Sequence, residues 1–372
     1  MAETEVQAAP DGARKKRIAI IAVVAAVVVV AAVVAAVVLG NPARGAAAKV
    51  GDSYISEDEV TEKVATYRKN YSLTDDSDFK SFLNYYGMTV SQFRESAINE
   101  IATEMLVEQR GAELGLSVSD EEVEARYNEI KGENDTGEGS VWASVLESAG
   151  LTEADLKARY RYTILQDKVL AADVPAREAT DDEVVAYAQS YLGDSTQVHV
   201  AHIVITGSDA PTRAAECYAK VADARDAGTL DAASFAEIAK EYSDEADVAS
   251  TGGAVGWSGC GLLSDEVVSS LGDMEDDEIV ANTLLGCFQS ATDSNSYEIA
   301  YIDATYTIPE ASSIASVSDI GAPDDLMAVI RSAASTVAYQ SDCSSYLTKM
   351  VEDANITYYS MPSDVPYNVS LA

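Results

Sequence analysis

Histidine is almost absent from this chain of 372 residues: there are two, and both fall within VHVAHIVI, Val198 to Ile205. Basic residues are scarce as well, 25 against 62 acidic ones, for a net charge of −37. A chain without a basic footprint is a poor match for phosphate backbones, which excludes nucleic acid as a partner. The four cysteines, Cys217, Cys260, Cys287 and Cys343, form no CxxC and lie far in sequence from His199 and His202, which excludes the common zinc patterns. No metal and no cofactor is implied. GGAVG, Gly252 to Gly256, is not GxGxxG and follows no βα unit of the right kind, which argues against a nucleotide site. Phenylalanine and tryptophan are rare, 5 and 2, whereas tyrosine reaches 20, as in KNYSL, LNYYG and RYRYT.

Long apolar runs are missing too, with one exception. Ile18 to Leu39 contains no polar residue and directly follows Arg14, Lys15, Lys16 and Arg17. About 20 apolar residues suffice for a helix to cross a bilayer, and a basic flank marks the cytoplasmic side. The expected arrangement is a cytoplasmic basic tail (1–17), a transmembrane anchor (18–39) and a bulk outside the cytoplasm. The run is longer than a signal-peptide core, which favours an anchor, although Ala46-Ala47-Ala48 can also be read as a cleavage site. In such a compartment the cysteines can pair, and the sequence does not choose among the three connectivities.

From Ala48 the chain reads as one short strand, a turn at Gly51-Asp52 and a helix start, with Ser56 and Glu59 spaced as a capping box. Helical patterning then runs to about Ala172, broken by a loop expected at Lys131 to Ser140. At Gly193 the pattern changes. VHVAHIVI reads as a buried strand, followed by two helices, a glycine-rich turn, a short helix, and strand-like segments around EIVANTL and SYEIAYIDA. This order describes an α+β domain. From Pro309 a loose segment leads into the helix SDCSSYLTKMVEDANI and the extended stretch ITYYSMP. The expected division is a helical domain (46–192), an inserted α+β domain (193–305), and a C-terminal segment (306–372) that packs back on the helical domain.

FAEIAKEYS followed by GGAVGW, after the strand AHIVI and before SYEIAYI, resembles the parvulin-type peptidyl-prolyl isomerase domain over about Val198 to Ile302. An anchor, an opening strand and helices, a parvulin-like domain and a closing helix together resemble the SurA/PrsA/PpiD-type foldases. The resemblance implies a mainly helical chaperone domain with an inserted parvulin-like domain, placed outside a bacterial cytoplasm. It implies unfolded exported polypeptides as partners, with the tyrosines offering an adaptable surface to them.

The same resemblance implies a site. His202 takes the position of the family's first histidine and shares a strand face with Val198, Val200 and Val204, while His199 faces away. The acidic position after Tyr-Ser falls on Asp244 or Glu245. The family's second histidine is replaced by Glu298. The proline cup maps onto Leu263 and Val267, with Trp257 beside it, and the aspartate of the glycine motif is Ala254. These departures imply weak or absent isomerase activity. The expected function is a foldase or chaperone that binds unfolded exported proteins, with X–Pro isomerisation only where the altered site still supports it; a non-catalytic holdase and an envelope scaffold or adhesin are the alternatives.

Overall fold

The computed structural model describes residues 45–134, 141–149, 151–274, 278–291 and 293–370. The expected tail and anchor, 1–17 and 18–39, lie outside them. Among the described residues no helix is long and apolar enough to cross a membrane. The chain divides into two compact units: one runs through Val174 and resumes at Cys343, and the other is Pro175–Asp342.

The first unit opens with β1 (Ala46–Val50) and β2 (Ser53–Ser56), an antiparallel pair turned at Gly51-Asp52. Gly51 sits at φ 57°, where a side chain would be strained. The sequence pattern showed only the first of these strands. Helix α1 (Glu57–Asn70) starts at Ser56, whose Oγ accepts from the Glu59 N–H while the Glu59 carboxylate accepts from the Ser56 N–H. Helices α2 (Asp76–Tyr85), α3 (Val90–Glu113), α4 (Asp120–Asn134), α5 (Trp142–Ala149) and α6 (Glu153–Asp173) follow. The loop expected from Lys131 thus begins later, because α4 continues to Asn134.

The core of this unit gathers Ile55, Val64, Phe79, Leu83 and Ile98. Arg94 is the one buried charged residue among the described residues, 2% exposed. Its Nε and Nη2 donate to the Glu57 carboxylate at 2.9 and 2.5 Å, and Nη1 donates to the Tyr359 carbonyl at 3.1 Å. The Tyr367 hydroxyl also donates to Glu57. Burial pushes the Glu57 pKa up, but the bonds from Arg94 and Tyr367 outweigh it and hold the carboxyl below its usual value.

The second unit is built on a four-stranded antiparallel sheet of order β4-β3-β6-β5. It begins with α7 (Asp181–Tyr187), β3 (Thr196–Thr206), α8 (Ala210–Asp226), α9 (Ala232–Tyr242), α10 (Val248–Thr251) and β4 (Ala254–Trp257). Next come α11 (Asp265–Gly272), β5 (Thr283–Gln289), β6 (Ser296–Thr307), α12 (Val317–Ile320) and α13 (Asp324–Asp353). Strand β5 starts at Thr283 rather than within EIVAN, because Asn282 takes a left-handed φ of 67° in a turn. One face of the sheet packs Ile203, Ile205, Ile299 and Tyr301 against α8 and α9, with Phe235 stacked on Tyr301 at 4.8 Å. The other face carries Val198, Val200, Ala300 and Ile302 against Val267 of α11.

The unit boundaries differ from those read in the sequence. Val184 and Ala188 are buried with Trp257, Ile308, Ile314, Ile320, Leu326 and Ile330 in a single cluster. Residues 175–192 and 306–342 therefore belong with the sheet, not with the helical unit. The segment after Pro309 is not loose: it forms a short 3-10 turn, α12 and the start of α13. Beyond Cys343 the chain returns to the helical unit, where β7 (Thr357–Tyr358) adds to β1.

Replacing Arg94 by leucine strands the largely buried, 12% exposed Glu57 carboxylate. The expected loss is about 3–5 kcal/mol in denaturant unfolding of the full chain. A loss under about 1 kcal/mol would show that the pair is not a keystone of the helical unit.

Candidate functional site

Strand β3 presents His202 on the face that also carries Val198 and Val200. Its position is held from both sides. Ala300 of β6 lies opposite it, and its N–H donates to the Gly253 carbonyl at 2.7 Å. A side chain at Gly253 would place a Cβ 2.3 Å from the His202 carbonyl oxygen, and the residue sits at φ 84°. The glycine turn is thus what lets this backbone come against β3.

Both ring nitrogens of His202 meet carboxylates. Nδ1 lies 2.6 Å from Glu298 Oε1, and Nε2 lies 3.0 Å from Glu245 Oε2. A carboxylate only accepts, and a neutral imidazole donates from one nitrogen alone, so this arrangement fits the imidazolium. Burial pushes the His202 pKa down, but the Glu298 hydrogen bond and the charges of Glu245 and Glu298 outweigh it, for a net rise. Burial likewise pushes Glu298 up, and its bonds from His202 and Ser264 reverse that, for a net fall. Ser264 Oγ donates to Glu298 Oε2 at 2.5 Å and accepts from the Val267 N–H at 3.3 Å, so one hydroxyl both caps α11 and orients the acid. The His202 and Glu298 side chains are 16% and 15% exposed, whereas Glu245 is 31% exposed and forms the open end of the row.

Of the two acids considered after Tyr-Ser, Glu245 reaches the histidine and Asp244 does not. Asp244 accepts from the Thr206 N–H at 2.7 Å and holds Arg213 at 2.9 and 3.0 Å, which turns it along β3 and away from His202. Leu263 and Val267 do share one apolar cluster with Val198, Val200 and Ile302. Val267 is fully buried there, however, so it forms a floor under Leu263 rather than an open wall. Trp257 lies elsewhere. It packs with Ile308, Ile320 and Leu326, and its ring stands edge-on to His199 at 5.3 Å. Its indole N–H is buried, and the indole holds the Asp325 carboxyl below its usual range. His199 is engaged with Asp303 at 2.6 Å and belongs to this second cluster's rim. Ser264 and Asp303 were not singled out in the sequence; the N-cap signal of Ser264 before DEVV was the available clue. Among the described residues no group of three His, Cys, Asp or Glu side chains is placed to hold a metal ion.

The helical unit offers two further surfaces. Tyr71, Tyr85 and Tyr86 are 60%, 83% and 61% exposed. They form a run of rings in which Tyr67 stacks on Tyr71 at 6.0 Å, Phe82 contacts both Tyr71 and Tyr86, and Tyr85 meets Tyr86 at 5.0 Å. A cleft of about 810 Å³ is lined by Thr103, Leu347, Val351, Ile356 and Tyr358, together with Glu100 and Glu352.

Residues 13–170 match the model of the SurA-like N-terminal domain, and residues 202–284 match that of the PPIC-type PPIASE domain. Foldase protein PrsA 2 of Listeria monocytogenes serotype 4b is 30% identical over 146 residues, which are 39% of this chain and 43% of that protein. Chaperone SurA of Chromohalobacter salexigens is 28% identical over 172 residues, 45% of this chain and 39% of that protein. The chain thus matches less than half the length of either relative. A crystal structure of foldase protein PrsA from Lactococcus lactis matches 85% of this chain and 95% of its own at 17% identity, with a TM-score of 0.38.

A histidine whose folded pKa lies above its usual 6.5 contributes stability in full below that value and loses it as pH rises through the folded pKa. Glu298, shifted below 4.5, contributes above that value and loses its share as pH falls. NMR titration of His202 is expected to give a midpoint above 6.5. The midpoint should fall in Glu298→Gln, which removes the charge but keeps an acceptor. A wild-type midpoint below the usual value would contradict the two-carboxylate arrangement.

Proposed function

Because the chain joins a SurA-like N-terminal domain to a PPIC-type parvulin domain and is homologous to the PrsA and SurA foldases, we propose that it is an extracytoplasmic foldase. It binds unfolded exported polypeptides and rotates their X–Pro bonds. The apolar run 18–39, preceded by its basic cluster, anchors it in the cell membrane with the N-terminus in the cytoplasm. The observation that carries the catalytic part is the row Ser264–Glu298–His202–Glu245 beside the apolar floor of Leu263, Val267 and Ile302.

Rotation about an X–Pro bond meets a barrier of about 18–20 kcal/mol because the planar amide is resonance-stabilised. No covalent chemistry is needed. In the twisted amide the carbonyl oxygen carries less negative charge than in the planar one. A fixed carboxylate near that oxygen repels the planar form more than the twisted form, and so lowers the barrier differentially. Glu245, the most open acid of the row, takes this role, and the proline ring rests against the Leu263 end of the floor. His202 is a positioning residue: its imidazolium holds Glu245 in place, and Glu298 and Ser264 hold the imidazolium.

The burial of Val267 favours a second reading, a holdase whose proline cup stays shut. In that reading the exposed tyrosines Tyr71, Tyr85 and Tyr86 of the helical unit carry the binding, since tyrosine presents broad apolar area with a wet tip.

The deciding experiment is a proline-isomerisation assay with the full chain in detergent, using peptides that vary the residue before proline. Catalysis is expected, with a loss of about tenfold or more in Glu245→Gln and in His202→Ala. A folded chain that accelerates no peptide would leave only the holdase reading.

Suppression of client aggregation tests the other half. Replacing Tyr71, Tyr85 and Tyr86 together by serine is expected to reduce suppression at least severalfold with an unchanged melting midpoint, since these rings are exposed. Unaltered suppression would remove the tyrosine surface from the proposal.

A further inference from the structure

The helix face of the parvulin-like sheet holds two free cysteines that the site does not use. Cys217 lies on α8, buried with Ile203, Ile205 and Ile299. Cys287 lies on the edge strand β5, opposite Ile299 of β6. Directly opposed residues of an antiparallel pair project from the same face. Cys287 therefore leaves the sheet on the side of Ile299, which is the side covered by α8. Leu284 reaches the same face across a β-bulge between it and Gly286: it sits opposite Tyr301 and packs into the same cluster as Cys217. Helix α8 packs against both β5 and β6.

We propose that Cys217 and Cys287 form a disulfide that staples α8 to the edge strand β5. This rests on the extracytoplasmic reading above, since thiols stay reduced in most cytoplasms. Burial pushes the Cys217 thiol up to about 12, with Cys287 the next cause, while burial alone raises Cys287. The oxidant is an oxidised thiol–disulfide oxidoreductase. The exposed Cys287 thiolate attacks one sulfur of that partner's disulfide, forms a mixed disulfide and releases one partner thiolate. The Cys217 thiolate then displaces the second. Two protein thiols lose two protons and two electrons, and the partner disulfide becomes a dithiol.

Cys260 is not an alternative partner for Cys287 within one chain. It lies beside Gly256 of β4, at the opposite edge of the four-stranded sheet. Three strand spacings separate the edges by roughly 14 Å, twice the reach of a disulfide between Cα atoms. The staple also bears on the candidate site. Strand β5 carries Leu285 and Phe288, which pack on the other face with Val267 and Leu263. A bond at Cys287 fixes from behind the strand that closes off the apolar floor.

The test is to treat the full chain with oxidised glutathione, block remaining thiols with N-ethylmaleimide, digest it and map linked peptides by mass. A Cys217–Cys287 peptide is expected in wild type and absent in Cys287→Ser, an exposed position that tolerates the change. Reductant should lower the melting midpoint of the wild-type unit by roughly 5–10 °C and leave the variant unmoved. A fully alkylated Cys287, or its appearance in a peptide with Cys260, overturns the pairing. The same mapping on protein trapped with N-ethylmaleimide in the producing cells separates the premises. Linkage with glutathione but free thiols in cells overturns the extracytoplasmic placement and leaves the pairing standing.

Discussion

The candidate site depends on the register between β3 and β6. Val204 stands opposite Glu298 and His202 opposite Ala300, so the histidine and the acid lie two positions apart on one face of one ladder. A slip of a single residue would send Glu298 to the helix face and bring Ile299 to His202. The register is held by burial on both sides: Ile203, Ile205, Ile299 and Tyr301 under the helices, Val200, Ala300 and Ile302 under α11. The polar row is thus a by-product of two apolar layers that leave the sheet no freedom to shift.

Within that frame, a carboxylate has taken the place at which the parvulin-type resemblance implies a second histidine. Two imidazoles bound to each other can share one proton without net charge. Glu298 instead commits His202 to the charged form, and Glu245 on the far nitrogen adds to the commitment. The row then carries one positive and two negative groups in a partly buried place, which is stable only because each charge is hydrogen-bonded. The arrangement replaces a neutral, tautomer-dependent pair with a fixed electrostatic one.

Much of this was legible in the sequence, where the information is local. The run Val198 to Ile205 announces a strand through its β-branched residues, and Ser56 with Glu59 announces a helix start, because both depend on neighbours a few positions away. The choice between Asp244 and Glu245 was not legible. It is decided by the turn at Ser243, where the Asp244 N–H donates to the Val204 carbonyl and its carboxylate is taken by Arg213. Ser264 escaped notice as a site residue because its acceptor is 34 positions away. The unit boundaries were misplaced for the same reason: Val184 and Ile314 look unremarkable until they are buried together. Trp257, placed beside the cup by its position in the glycine motif, pairs with His199 and packs in a different cluster.

The clamp around Arg94 has a consequence for the order in which the molecule can be completed. Its partners come from residues 47, 57 and 359, and Tyr367 joins through Glu57, so the helical unit closes only when segments far apart in the chain are all present. The parvulin-like unit is one continuous stretch, 175–342, and draws on no segment far ahead of it or behind it in the chain. A ribosome or translocon that delivers the chain from its N-terminus therefore releases a finished isomerase-like unit while the helices before it still wait for their last strand.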